Sequence, residues 1–92
     1  MIVSFRHKGL KLLYEKEDRR RVPPEYADKI ERILARLDEA TNPTNMGLPG
    51  FRLHPLKGGL AGYWSVTVSG NWRIVFCFEG VHACNVDLID YH

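Results

Sequence analysis

The chain is short of nearly everything that usually announces an activity. It has two cysteines, Cys77 and Cys84, without CxxC spacing or a histidine at ligand distance, which argues against a structural zinc site. It holds no run of eighteen apolar residues, so nothing in it reads as a membrane span. The opening Met1-Ile2-Val3-Ser4-Phe5-Arg6 lacks the charged-then-apolar order of a signal peptide, and the expected location is cytoplasmic. There is no P-loop, GxGxxG or Ser-His-Asp spacing, and Gly58, Gly59 and Gly62 do not precede a helix, so they form no nucleotide cradle. Repeats, low-complexity tracts and linkers are also missing. No metal or other cofactor is expected.

Charge is scarce in a patterned way. The net charge is only +2. Residues 42–78 contain no Asp or Glu, and their only cations are Arg52, Lys57 and Arg73. Residues 79–92 contain no Lys or Arg. A long carboxylate-free stretch with its few cations beside His54 suits a polyanionic ligand. The first 21 residues carry seven basic groups against three acidic ones. Within them, Lys8 and the run Arg19-Arg20-Arg21 are candidates for tracking a phosphate backbone, although a solvated loop and helix face explains them equally well.

What remains is enough for one domain, residues 1–92, 45% hydrophobic and 26% charged. Ile2–Phe5 reads as a short strand. Residues 7–16 read as a helix with Leu10, Leu13 and Tyr14 on one face and Gly9 weakening its beginning. Pro23-Pro24 opens a stronger helix with a buried stripe of Ala27, Ile30, Ile33, Leu34, Leu37 and Ala40. Its solvated side offers the pairs Glu25/Lys29 and Asp28/Arg32. Asn42-Pro43 ends it. Residues 51–56, 63–69, 72–78 and 83–89 read as strands, with a tight loop at Ser69-Gly70-Asn71 and, if the last two strands extend to 72–79 and 82–89, a turn at Gly80-Val81. The predicted fold is α+β, with two N-terminal helices on a mostly antiparallel four- to five-stranded sheet in the order β-α-α-β-β-β-β.

Trp72, Ile74, Phe76 and Phe78 form the larger apolar face and are assigned to the core, with Trp64. Alternation then puts Arg73 on the opposite face, and simple hairpin pairing puts His92 on the same side, unless a bulge intervenes. The same hairpin sets Cys77 opposite Cys84, where a disulfide is conceivable. In a reducing cytoplasm two buried free thiols are expected instead.

Chemistry concentrates in His54, Lys57, Arg73, Asp90, Tyr91 and His92. A histidine titrates near neutral pH, at about 6.5 when unperturbed. Two of them supply the base and acid that RNA cleavage by its own 2′-hydroxyl requires. Lys57 and Arg73 offer fixed positive charge to a developing phosphorane. Tyr91 offers a hydrogen bond or a stacking face, and Asp90 a partner for a histidine. Against each stands a plainer reading: a lone surface histidine, a solvated cation, a rim aromatic. His7 and His82 are given that plainer reading.

The stretches Phe5-Arg6-His7-Lys8-Gly9-Leu10, Leu48-Pro49-Gly50-Phe51-Arg52-Leu53-His54-Pro55-Leu56-Lys57-Gly58, Gly62-Tyr63-Trp64-Ser65-Val66, Gly70-Asn71-Trp72-Arg73 and Asp90-Tyr91-His92 resemble the HigB toxins of the RelE superfamily. The resemblance runs essentially end to end. It implies a RelE-like fold and a ribosome-dependent endoribonuclease acting on mRNA. It implies a cognate helix-turn-helix antitoxin (HigA-like), through which alone operator DNA is bound. It also implies a site made of His54, Lys57, Arg73, Asp90, Tyr91 and His92. Apart from the resemblance, Lys8, Arg19, Arg20, Arg21 and Asn71 are the residues expected to contact RNA. Residues 15–22 are more highly charged than the corresponding family loop, and Cys77 and Cys84 are not family positions. The alternatives are a non-enzymatic toxin of the same architecture, of the gyrase-poison type, and a degenerate interaction module.

Overall fold

A computed structural model describes residues 1–90. Helix α1 spans Lys8–Lys16, and the imidazole of His7 caps it, Nδ1 accepting from the Leu10 amide at 3.1 Å. That satisfies one orphan donor of the first turn, so His7 is structural. Gly9 has a specific reason to be there: a Cβ would lie 2.6 Å from the Arg21 carbonyl oxygen and 2.9 Å from the Arg21 Cβ. The bare backbone lets residues 17–22 lie across the start of the helix.

A 3₁₀ turn at Pro24–Tyr26 leads into α2, Ala27–Glu39. The stripe Ala27, Ile30, Ile33, Leu34, Leu37 and Ala40 is fully buried, as its period demands. The expected pairs Glu25/Lys29 and Asp28/Arg32 do not form among the described residues, because Asp28 instead takes the guanidinium of Arg19.

The sheet has four antiparallel strands in sequence order: β1 His54–Pro55, β2 Trp64–Ser69, β3 Trp72–Glu79 and β4 His82–Asp90. Two expectations need correcting here. The predicted opening strand does not form as a strand: Ile2 and Phe5 make isolated parallel bridges to Ala83 and Val86 of β4. The predicted strand 51–56 contracts to two residues, since Arg52 sits at φ 51 and Pro55 has no amide to donate. Short 3₁₀ turns also occupy Pro43–Met46 and Gly58–Leu60. The element order therefore begins with a helix, and the strands follow as a meander.

The inner face of the sheet packs on the helices through Val66, Val68, Ile74, Phe76, Val86 and Leu88, with Trp64, Trp72 and Phe78 half-buried against them. β3 and β4 turn at Gly80-Val81 with Glu79 opposite His82. A bulge then shifts the register. Cys77 pairs with Cys84, but Val75 pairs with Asp87 and Arg73 with Ile89. The extra residue is on β4, where Asn85 takes φ 51, a conformation asparagine tolerates better than most. The bulge is tied down: the Asn85 amide donates to Ser4 Oγ at 2.8 Å, and Asn85 Nδ2 donates to Tyr63 Oη at 2.9 Å.

The shift undoes the simple pairing behind the placement of His92, because Asp90 now lies opposite Trp72 and shares the side of Leu88. His92 itself lies outside the described residues. The expectation of free thiols is also corrected: Cys77 and Cys84 are joined as a disulfide, with Cα atoms 5.2 Å apart. The reason is their direct cross-strand pairing, which brings them within ordinary bridging distance.

Candidate active site

The outward residues of β2 and β3 alternate with the core: Ser65 and Thr67 on one strand, Arg73 and Val75 on the next. Register turns them into rows. His54 pairs with Ser65, Ser65 with Val75 and Val75 with Asp87. In the next row Thr67 pairs with Arg73 and Arg73 with Ile89. Between the rows lies a cavity of about 290 Å³ lined by Arg52, His54, Leu56, Ser65, Thr67 and Arg73. Ser65 is only 7% exposed although it points away from the helices, so it forms the floor of a hollow. Among the described residues the lining holds two guanidinium groups, an imidazole and two hydroxyls, and no carboxylate.

Each side chain is there for a local reason. His54 is exposed on a two-residue edge strand held to β2. Arg73 is steadied by its own turn, Nη1 donating to the Gly70 carbonyl at 2.6 Å and the Trp72 carbonyl at 3.1 Å. Gly70 takes φ 49 to make that turn, and exposed Asn71 sits at its tip. Lys57 is exposed beyond Leu56 and does not line the cavity. Asp90 is exposed at the end of β4, next in sequence to the Arg73 partner Ile89. Tyr91 and His92, named from sequence for the same site, lie outside the described residues.

The basic N-terminal stretch divides. Arg19 reaches across to α2 and binds Asp28 and Glu31, both at 2.5 Å. Those two carboxylates raise its pKa, Asp28 most. Arg20 binds Asp18 at 3.0 Å, and its hydrogen bonds hold the Asp18 carboxyl down at about 2. Lys8 and Arg21 are exposed, with no ion pair among the described residues. The carboxylate partners of Arg19 lie nine and twelve residues away, beyond local pattern reading.

The structure brings together two of the residues named from sequence, His54 and Arg73, and adds three that were not named: Arg52, Ser65 and Thr67. Their signal was present but weak. Arg52 precedes His54 by two positions within the carboxylate-free segment, and Ser65 and Thr67 are the polar half of an alternating strand. Among the described residues no group of three His, Cys, Asp or Glu side chains is placed to hold a metal ion.

Comparison with known proteins fits this geometry. The chain is 47% identical over 92 residues to the Endoribonuclease HigB of Proteus vulgaris, covering 100% of both chains. It is 32% identical over 78 residues to the Toxin HigB-1 of Vibrio cholerae serotype O1, covering 83% of this chain and 82% of that one. The YoeB/ParE toxin from Agrobacterium tumefaciens superposes with a TM-score of 0.58 at 18% identity, over 100% of this chain and 99% of that one, which speaks for the fold alone. Residues 3–92 match the family described as RelE-like toxin of type II toxin-antitoxin system HigB. With that match, and with nearly half its residues shared end to end with one curated relative, the chain belongs to the HigB-like family of RelE-like toxins, whose members act within type II toxin–antitoxin systems.

Proposed function

We propose that this toxin is an endoribonuclease that cuts mRNA on the translating ribosome, without a metal or other cofactor. The observation that carries the reading is the cavity in which His54 and Arg73 meet among hydroxyls, with no carboxylate among the described residues of the lining. A polyanion can enter such a hollow, and an imidazole beside the cations gives a proton-transfer group at the point where a phosphodiester would lie. The kinship to a protein named Endoribonuclease HigB supports the same conclusion.

In the proposed step a histidine takes the proton of a 2′-hydroxyl. The freed oxygen attacks the adjacent phosphorus, the P–O5′ bond breaks, and a second acid delivers a proton to the departing 5′ oxygen. The products are a 2′,3′-cyclic phosphate, or a 3′-phosphate after hydrolysis, and a 5′-hydroxyl. One of His54 and His92 is the base and the other is the acid, in either assignment. Arg73 and Lys57 stabilise the charge that builds on the phosphate, Tyr91 orients the substrate, and Asp90 supports a histidine. Lys8, Arg19, Arg20, Arg21 and Asn71 contact RNA beyond the cut; among the four cations, exposed Lys8 and Arg21 are the more available. A hollow this small aligns little RNA by itself, so the ribosome supplies much of the positioning. The toxin family implies an antitoxin partner. We assign it to the helix-turn-helix (HigA-like) class, which carries the toxin to operator DNA, and place the complex in the cytoplasm. No helix among the described residues is long and apolar enough to cross a membrane.

The test is cleavage of a ribosome-bound mRNA with its ends mapped. Cyclic or 3′-phosphate ends are expected, with loss of cutting when the nucleotide at the cut is 2′-deoxy. His54→Ala is expected to lower the rate by about 10²-fold or more. Equal cutting by His54→Ala would remove His54 from the mechanism, whereas a wild-type toxin that cuts nothing, with translation continuing while DNA-damage signalling rises on induction, would overturn the proposal and favour a protein-binding toxin.

A further inference from the structure

Arg52 lines the cavity opposite Arg73 and has no place in the mechanism above. Its backbone occupies the left-handed region at φ 51, which is strained for an ordinary L-residue and persists only where the surroundings enforce it. Here they do. Gly50 at φ 86 bends the chain into position, and the Thr67 amide donates to the Phe51 carbonyl at 2.7 Å. The residue just before Arg52 is thereby fastened to β2. Its guanidinium is exposed and has no hydrogen-bond or ion-pair partner among the described residues. Arg19 and Arg20 by contrast hold carboxylates, and Arg73 holds carbonyls of its own turn. A strained, anchored, unpartnered cation on the wall of a carboxylate-free hollow has the form of a ligand contact.

Geometry narrows the ligand. Thr67 pairs directly with Arg73, its amide anchors the residue before Arg52, and all three residues line the same hollow. The hollow, about 290 Å³, lies just below the usual range for ligand pockets and suits one nucleotide unit. A nucleotide within a strand carries a phosphate on each side. Building on the function proposed above, we infer that Arg52, helped by the Thr67 hydroxyl, grips the backbone phosphate next to the one that reacts. It is a substrate-binding residue that works alike in the ground state and the transition state.

That role has a kinetic signature distinct from Arg73. Arg52→Gln keeps a side chain with the same backbone difficulty, and at an exposed site it should leave the fold unchanged by circular dichroism. In single-turnover cutting of ribosome-bound mRNA, we expect its half-saturating concentration to rise about tenfold with the maximal rate retained. Arg52→Lys should recover part of the loss. Independently of activity, binding of a short 2′-deoxy oligonucleotide to the toxin is followed by NMR across a salt series. Arg52→Gln should lower the slope of log affinity against log salt by about 0.7, one single-strand phosphate. A neutral methylphosphonate at the neighbouring phosphate should weaken wild-type binding and leave Arg52→Gln unaffected. Unchanged affinity and slope in Arg52→Gln, or a fall in maximal rate with unchanged half-saturation, would overturn the assignment. A wild-type toxin that cuts no ribosome-bound mRNA would instead remove the nuclease reading and leave the binding data standing.

Discussion

On one side of β2 and β3, Val66, Val68, Ile74 and Phe76 are sealed beneath the helices; on the other, Ser65, Thr67 and Arg73 line an open hollow. Neighbouring residues on the same strands thus belong to different tasks. The inner series buries apolar area and holds the fold. The outer series is polar and cationic, and leaves room for a ligand. Damage to stability and damage to chemistry should therefore alternate with residue parity.

The sharpest check of that alternation is Phe76→Ala. It removes the largest fully buried side chain, and a loss of about 3–5 kcal/mol is expected in urea unfolding, a large share of a small domain's stability. Arg73→Gln should do the reverse: an unchanged urea midpoint, with cleavage lowered by about 10²-fold or more. If Arg73→Gln unfolds the protein, the separation of the two faces fails. Asn85→Ala probes the point where parity slips. It loses the amide-side-chain bond to Tyr63, and a cost of about 1 kcal/mol is expected, with faster hydrogen exchange at Val3, Arg6 and Val86, whose amides bond across that junction.

The smallest effect is a pH dependence on the inner side. The Tyr14 hydroxyl donates to Asp38 Oδ1 at 2.6 Å, and this bond, with burial and the Asp38 charge, lifts its pKa to about 12. Burial alone would raise the Asp38 carboxyl, but the bonds from Tyr14 and the Ile2 amide, together with the N-terminal charge, leave it below its ordinary value. A tyrosine raised on folding stabilises the native state below its unfolded pKa of about 10, and the contribution disappears as pH climbs toward 12. Thermal melts from pH 9 to 12 should show a decline that is shallower in Tyr14→Phe, at a site remote from the hollow.

How far these features were readable in the residues depends on how local their causes are. The stripe of α2 and the alternation of Trp64–Ser69 and Trp72–Glu79 are properties of single segments, and both faces were assigned correctly from them. The opening strand failed because Ile2–Phe5 touches β4 at only two bridges, a tertiary outcome with no local mark. The bulge at Asn85 was invisible for the same reason, and it shifted every pairing from Val75 to Trp72. At the site, His54 and Arg73 stood out by chemistry. Arg52 was only one cation among others until the strand register showed which arginines already had partners. The engagement of Arg19 with α2 is likewise a long-range fact.

The docking of Met1–Phe5 against Ala83–Val86 has a consequence for folding. Val3 donates to Ala83 and Ser4 accepts from Val86, so these bonds join residues about eighty positions apart. Such distant pairings are slow to form. The seam between Met1–Phe5 and β4 is therefore expected to close late, after the hairpin of β3 and β4 that it rests on.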